Sequence, residues 1–305
     1  MNKSSISGTI MLILLFPAVF CLFLSSGCSR GNNSQSNNLT ISNSGSDTMV
    51  NLAQMWSEEY AGVEPAVSVE VGGGGSGVGI RDLMQGLVDI ANASRTIKDA
   101  ESRQAKNNTG KAPVEWIVGY DAMAIYVHRD NPIEELTIEQ LARIYGEGGT
   151  IEKWSQLGVD IVKTGGNDEI VRVSRQNSSG TYFFFREHVL NKHDYKLGSK
   201  DMSGSKDVVE LVSNTPGAIG YSGMGYKTDG VKFVKIAKKK GGKAYMPTLE
   251  NVVAENYSLA RPLHMYTLGQ PGGHIKTYIE WVLSSEGQKI VKEAGYVPAA
   301  ADTAK

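Results

Sequence analysis

Strand-like apolar runs alternate along this chain with segments whose apolar residues recur at helical spacing. Residues 39–48 precede a helical pattern at 49–60, and residues 67–71 precede another at 80–87. The same order returns at residues 170–174, which lead into an aromatic helical segment. Alternation sustained in this way predicts an α/β fold, with parallel-rich sheets covered by helices.

The region available for this fold, residues 39–305, is long for one hydrophobic core and sufficient for two lobes. The full chain has 41% hydrophobic residues and a formal net charge of -1 at pH 7, a composition typical of a globular protein. The basic residues are scattered, and their one run, residues 238–240, stands in a glycine-rich turn. This pattern argues against a nucleic-acid partner.

An apolar segment near the N-terminus predicts export. Residues 10–24 are apolar, interrupted only by Pro17, and have the length of a signal-peptide core rather than of a membrane span. Leu24-Ser-Ser-Gly-Cys28 then resembles the lipobox of bacterial lipoproteins, although the leucine lies one residue further from the cysteine than usual. We expect a signal peptide at 1–27 and a lipidated Cys28 opening a flexible tether at 28–38, with ordinary cleavage as the alternative.

Three polar stretches stand where a strand gives way to a helix. They are Gly45-Ser-Asp-Thr-Met49, the glycine run 72–79 with Ser76, and Arg175-Gln-Asn-Ser-Ser-Gly-Thr181. A helix start presents unpaired backbone N–H groups and the positive end of the helix dipole. Hydroxyls and an arginine beside such N–H groups predict an anion site. The alternative for residues 175–181 is a simple Ser/Thr helix cap with a surface arginine.

The glycine run also matches a dinucleotide motif. Residues 72–77 fit G-x-G-x-x-G after a strand. The acid that this motif requires beyond the next strand is not convincingly present, because the segment 89–95 reads Asp-Ile-Ala-Asn-Ala-Ser-Arg. An exported protein also has no obvious nicotinamide supply. We therefore disfavour a dinucleotide site.

An enzyme is the alternative from another class, a secreted phosphatase or serine hydrolase with Ser76 or Ser179 as nucleophile. Neither serine lies in G-x-S-x-G, and neither has a histidine in its own stretch. The five histidines are scattered and form no pair at metal-ligand spacing. The sequence therefore predicts no catalytic residue, no metal and no cofactor.

The three polar stretches, together with residues 89–95, 217–221 and Arg261-Pro-Leu, resemble the PstS-type phosphate-binding proteins in order and spacing. The most specific element is the Arg175-x-x-x-Ser-Gly-Thr181 motif. The resemblance implies a type II periplasmic-binding-protein fold, in which two crossing strands join two α/β lobes and phosphate lies between them. The crossings would fall near 122–127 and 259–267, giving lobe 1 at 39–121 plus 262–305 and lobe 2 at 122–261.

The resemblance also implies a set of phosphate-binding residues drawn from both lobes. They are Ser46, Asp47, Thr48, Met49, Ser76, Gly77, Ser94, Arg95, Arg175, Ser179, Gly180 and Thr181. Two positions depart from the family pattern. Asn177 stands where many relatives keep an aspartate that orients the arginine, and Arg95 stands where the best-known branch has an aspartate.

The second departure bears on specificity. Near neutral pH, phosphate keeps a proton that sulfate lacks, so a carboxylate acceptor in a dry cleft favours phosphate. Without the usual acid, Asp47 is the candidate acceptor, and a helix N-cap formed by Ser46 or Asp47 is the alternative role. Arg95 would either add a second positive charge to the cleft or face solvent at a helix start.

The function that the resemblance implies is capture of inorganic phosphate outside the cytoplasm and delivery to the membrane permease of an ABC importer. The protein would be a monomer held to the membrane through its lipid only. A binder of sulfate or molybdate and a phosphate sensor are the nearer alternatives. Donors would converge on the ligand when the lobes close, so the closed form would be the one that the ligand stabilises.

Overall fold

The computed structural model describes residues 39–299. The predicted signal peptide, Cys28 and the tether lie outside the described residues. Within residues 39–299, no helix is both long and apolar enough to span a membrane.

The strands and helices alternate as the sequence predicts. The helices are α1 Val50–Val63, α2 Ser76–Met84, α3 Asp99–Thr109, α4 Ile138–Tyr145, α5 Gly180–His188, α6 Ser205–Ser213, α7 Leu249–Val253, α8 Gly273–Val282 and α9 Ser285–Glu293. The strands are β1 Leu39–Gly45, β2 Val67–Gly72, β3 Ile90–Ala93, β4 Pro113–His128, β5 Glu135–Thr137, β6 Val171–Arg175, β7 Lys200–Met202, β8 Ala218–Gly223, β9 Val231–Phe233, β10 Lys235–Ala237, β11 Ala244–Tyr245, β12 Ala260–Leu268 and β13 Val297–Pro298.

The main sheet runs in the order β2-β1-β3-β12-β4-β8-β6-β7. Its two outer parts are parallel, since β1 pairs in parallel with β2 and β3, and β6 pairs in parallel with β7 and β8. The middle is antiparallel, where β12 pairs with β3 and β4, and β4 pairs with β8. Each parallel part is one α/β unit of the predicted fold.

Strand β4 connects the two parts without a break. Its first half pairs with β12, from Pro113 to Ala122, and its second half pairs with β8, from Met123 to Val127. Strand β4 therefore passes from one α/β unit to the other. Strand β12 does the same, since Ala260 packs with the buried residues of one unit and Leu263 with those of the other.

The buried apolar side chains form two groups, and the boundary between the groups falls where the chain passes from one α/β unit to the other. One group comes from residues 41–118 and 263–296, and the other from residues 122–259 with Val297. Burial of these two groups of side chains is the main favourable contribution to folding of each lobe. The division supports the predicted lobe limits, 39–121 plus 262–305 and 122–261, which we keep as a proposal.

Candidate functional site

The polar stretches that follow β1, β2, β3 and β6 meet at one buried point. The carboxyl ends of parallel strands share an edge of the sheet, and the helices that begin there direct their N-termini toward it. Thr48 Oγ1 from lobe 1 lies 2.9 Å from Thr181 Oγ1 of lobe 2, and both side chains are buried. The structure therefore brings together two hydroxyls that the sequence places in different lobes.

Three serines complete this group. Ser46 Oγ donates to Ser94 Oγ at 3.0 Å, and Ser94 Oγ lies 3.4 Å from Ser76 Oγ. The Ser94 N–H donates to Ser76 Oγ at 3.0 Å. We name these five residues the hydroxyl cluster: Ser46, Thr48, Ser76, Ser94 and Thr181.

Backbone groups also join the two lobes beside the cluster. The Gly77 N–H, at the start of α2, donates to the Ser178 carbonyl oxygen at 2.9 Å. The Thr181 N–H donates to Ser179 Oγ at 3.1 Å, so Ser179 caps α5. Gly180, the first residue of α5, lies against the Ser76 and Ser94 hydroxyls.

Arg175, the last residue of β6, lies beside the cluster and is 1% exposed. Its Nη1 donates to Ser205 Oγ at 3.0 Å, and its Nη2 donates to the Ser203 carbonyl oxygen at 2.8 Å and to Asp47 Oδ2 at 3.1 Å. Burial lowers the pKa of the Arg175 guanidinium, and the Asp47 carboxylate acts in the opposite direction. An arginine stays charged under such conditions, so the site holds a buried cation.

Asp47 has a different role from the helix cap considered above. Residue Met49 is the N-cap of α1, it makes no side-chain cap bond, and its N–H donates to the Ser46 carbonyl oxygen at 2.9 Å. The prediction of a Ser46 or Asp47 cap is therefore wrong. The Asp47 carboxylate instead accepts from the Gly74 N–H at 3.0 Å and from Arg175 Nη2 at 3.1 Å.

Arg95 forms an ion pair with Glu101 rather than a hydrogen bond to the hydroxyl cluster. Its two terminal nitrogens donate to the two carboxylate oxygens of Glu101 at 2.8 Å each, and its side chain is 7% exposed. The guanidinium also lies 5.2 Å from the Phe183 ring centre, at the wall of a cavity of about 450 Å³. The alternative role, in which Arg95 faces solvent, is wrong: the side chain is buried, and pairing with Glu101 compensates that burial. Its predicted contact with an anion stays a prediction.

The contribution of the Arg95–Glu101 ion pair to stability can be tested by removing the charge of Glu101. Burial acts to raise the pKa of Glu101, but hydrogen bonds from Arg95 and the Lys98 N–H outweigh it and leave that pKa below its usual value. A lowered folded-state pKa adds stability above the ordinary glutamate pKa of about 4.3, and this stability is lost as pH falls through the folded value. We expect Glu101→Gln to lower the free energy of unfolding by about 1 kcal/mol at pH 7, with the difference shrinking below about pH 4.

Urea unfolding at both pH values measures this difference, with the exposed Glu58→Gln on α1 as control. A Glu101→Gln protein as stable as its parent at pH 7 would contradict the structural role.

Sequence reasoning missed two buried charged residues, Arg261 on β12 and Asp121 on β4. Arg261 Nε and Nη2 donate to Asp121 Oδ2 at 3.0 and 2.8 Å, and their side chains are 1% and 0% exposed. Burial raises the pKa of Asp121, while the charge of Arg261 opposes that change. Arg261 Nη2 also lies 2.9 Å from Thr181 Oγ1 and 3.4 Å from Thr48 Oγ1. Each residue is a charged side chain within a largely apolar strand-like run, and this signal is visible in the sequence.

The arrangement is rich in donors and suits an oxyanion. Hydroxyls, helix-start N–H groups and the Arg175 guanidinium all favour negative charge. Among residues 39–299 no cluster of His, Cys, Asp and Glu could hold a metal ion. In the same described range, the hydrogen bonds of Ser76 and Ser179 include none to a histidine.

Comparison with known proteins gives the family. A model of the PBP superfamily domain matches residues 30–286. The phosphate-binding protein PstS of Pseudomonas aeruginosa is 35% identical over 277 residues, which cover 87% of this chain and 84% of that protein. The chain belongs to the PstS-type phosphate-binding proteins of the PBP superfamily. Its predicted two-lobed α/β fold is thereby confirmed as the fold of that family.

Solved structures agree with this family assignment. A Clostridium perfringens protein, described as a phosphate ABC transporter substrate-binding protein with bound phosphate, is 31% identical with a TM-score of 0.74. The match covers 85% of this chain and 99% of that one. An ABC-type phosphate transport receptor from Vibrio cholerae is 27% identical with a TM-score of 0.66, covering 84% of this chain and 99% of the other.

Proposed function

We propose that this protein captures inorganic phosphate between its lobes outside the cytoplasm and delivers it to the permease of an ABC importer. The observation that supports this most is the meeting of Thr48 and Thr181, helix-start hydroxyls of opposite lobes, at 2.9 Å. The named relatives support phosphate as the ligand. We further propose that the protein is a monomer, anchored only by a lipid on Cys28.

The proposed ligand set is the one that the family resemblance implies, with Arg175 as its principal cation. Removing water from an oxyanion is costly, and a hydrogen bond involving a charged group returns only about 1.5–3 kcal/mol net. Micromolar affinity requires about 8 kcal/mol overall, so many donors must converge from both lobes. Phosphate would take the place of the Thr48–Thr181 contact, and each hydroxyl would then donate to a phosphate oxygen.

Discrimination against sulfate would rest on Asp47. Its carboxylate lies in the site, 3.1 Å from the Arg175 guanidinium, and its side chain is 16% exposed. A carboxylate beside the anion accepts the proton of hydrogen phosphate and repels a fully deprotonated anion. We therefore propose Asp47 as the acceptor of the phosphate proton.

We expect phosphate to bind the mature protein with a dissociation constant of about 1 μM or below, and to make it more compact. Isothermal titration calorimetry measures the affinity, and small-angle scattering measures the radius of gyration with and without phosphate. Sulfate and molybdate, each titrated alone and in competition, are the controls. Tighter binding of either one, or an unchanged scattering profile, would contradict the proposal.

We also propose that the protein has no catalytic activity, because its site serines lack a histidine partner within residues 39–299. A chromogenic phosphate ester should be turned over no faster by the protein than by buffer. Turnover abolished by Ser76→Ala would favour a phosphatase instead.

A further inference from the structure

The Arg261 guanidinium contacts both lobes at once. Its Nη2 faces the hydroxyls of Thr48 in lobe 1 and Thr181 in lobe 2, and its Nη1 donates to the Ser94 carbonyl oxygen at 3.2 Å. A guanidinium is planar and presents five N–H donors in a fixed fork. One rigid group is therefore aimed at hydroxyls from opposite sides of the cleft.

Asp121 holds that fork in place. Arg261 and Asp121 face each other directly in the register of β12 and β4, at the predicted crossing between the lobes. Asp121 Oδ1 also accepts from the Met224 N–H at 3.0 Å, just after β8. Both charged groups sit on the strands that join the lobes, so the position of Arg261 is set by the hinge rather than by either lobe alone.

A hydroxyl that accepts a hydrogen bond from a cation keeps its own hydrogen available to donate to another group. A threonine hydroxyl has one hydrogen to donate and two lone pairs that accept. When a lone pair of Thr48 or Thr181 faces Arg261, the hydroxyl hydrogen is free to point away from the guanidinium, and the positive charge strengthens it as a donor. An anion between the lobes would then accept one such hydrogen from Thr48 and one from Thr181.

We propose that Arg261 is a positioning residue that turns the Thr48 and Thr181 hydroxyls into donors aimed at a common anion and so couples lobe closure to binding. The inference rests on the proposed function, because it requires an anion between those hydroxyls. It adds a residue at the hinge to the ligand set, with Asp121 as the group that orients it.

The main test replaces the ion pair by neutral groups, because Arg261→Gln alone would leave Asp121 buried and unpaired. We expect the double variant Arg261→Gln with Asp121→Asn to fold, to bind phosphate about 30-fold more weakly, and to release it faster. Calorimetry gives the affinity, stopped-flow fluorescence gives the dissociation rate, and thermal unfolding without phosphate gives the stability. Arg186→Gln is the matched control, since Arg186, in the last turn of α5, pairs with the exposed Asp194 and is itself partly exposed.

Arg261→Lys separates orientation from charge. A lysine keeps the positive charge beside Asp121 but lacks the fork that serves two hydroxyls. We expect Arg261→Lys to be as stable as the parent protein but to bind phosphate about tenfold more weakly. Parental affinity in Arg261→Lys, or affinity within twofold of the parent in the double variant, would overturn the inference and leave the proposed function standing. If the parent itself fails to bind phosphate, the proposed function fails and the inference with it.

Discussion

Replacing Arg175 by methionine is expected to weaken phosphate binding by about 1,000-fold, which corresponds to about 4 kcal/mol. Arg175 is the buried cation on the lobe 2 side of the hydroxyl cluster, and its bonds to phosphate would be made out of contact with water. The substitution also leaves the Asp47 carboxylate without its partner, so an unbalanced negative charge would face the anion. Calorimetric titration of the purified mature protein measures the loss.

The protein should still fold, because the Asp47 carboxylate that is left behind is 16% exposed to solvent and keeps its hydrogen bond from the Gly74 N–H. Arg172→Met is the matched control: Arg172 lies on the same strand, β6, and donates to the Leu197 carbonyl oxygen rather than to the cluster. Urea unfolding of both variants separates lost stability from lost binding. Phosphate affinity of Arg175→Met within tenfold of the parent would remove Arg175 from the ligand set.

The α/β fold could be predicted from the sequence because local patterns carry it. Apolar spacing separates strands from helices, and glycine, serine and threonine mark the points where a strand turns into a helix. The motif from Arg175 to Thr181 illustrates this, since β6 ends at Arg175 and α5 begins at Gly180. Such signals involve residues close together in the chain.

The partners of charged groups could not be predicted in the same way. The sequence is equally consistent with Asp47 as the cap of α1 and with Asp47 as a residue of the phosphate site. The structure decides against the cap, because Arg175 of the other lobe pairs with the Asp47 carboxylate. Arg95 reads as a free charge until the first turn of α3 brings Glu101 to it. In both cases the role of the charged side chain depends on which residue lies beside it in the folded protein, and the sequence does not give that distance.

The pairing of Arg261 with Asp121 could be predicted from the sequence only in part. A charged residue inside an apolar strand-like run is costly to bury, and it must have a partner. That argument predicts a pair on the two crossing strands, but it does not say which faces of β4 and β12 meet or that Thr181 lies beside them. The register of the two strands, Arg261 opposite Asp121, supplies the missing step.

The second large effect is expected at Gly75, in the loop before α2. Its backbone has φ 97° and ψ 155°, a region that side chains rarely occupy, and a Cβ there would lie 2.6 Å from the Ser178 carbonyl oxygen of lobe 2. The loop has little freedom to withdraw, because the Gly75 N–H donates to the Gly45 carbonyl oxygen at 2.8 Å. Gly75→Ala therefore strains lobe 1 and also obstructs its approach to lobe 2.

These two consequences affect different measurements. The backbone strain, on the order of 1–3 kcal/mol, is present whether the lobes are open or closed, so it lowers the free energy of unfolding without changing phosphate affinity. The contact with Ser178 would be made only when the lobes are closed, which is the form that phosphate is proposed to stabilise. We expect Gly75→Ala to weaken phosphate binding by about 100-fold and to reduce the contraction on adding phosphate.

Gly110→Ala is the control that isolates backbone strain. Gly110 follows α3 with φ 75°, and a Cβ at that position meets no atom within 4 Å. It should lose stability as Gly75→Ala does and keep the phosphate affinity of the parent. Equal affinity in both variants would mean that the loops at Gly75 and Ser178 do not approach each other in the phosphate-bound protein. The closed cleft would then be formed without the glycine run, and Ser76 at the start of α2 would lose its place beside the anion.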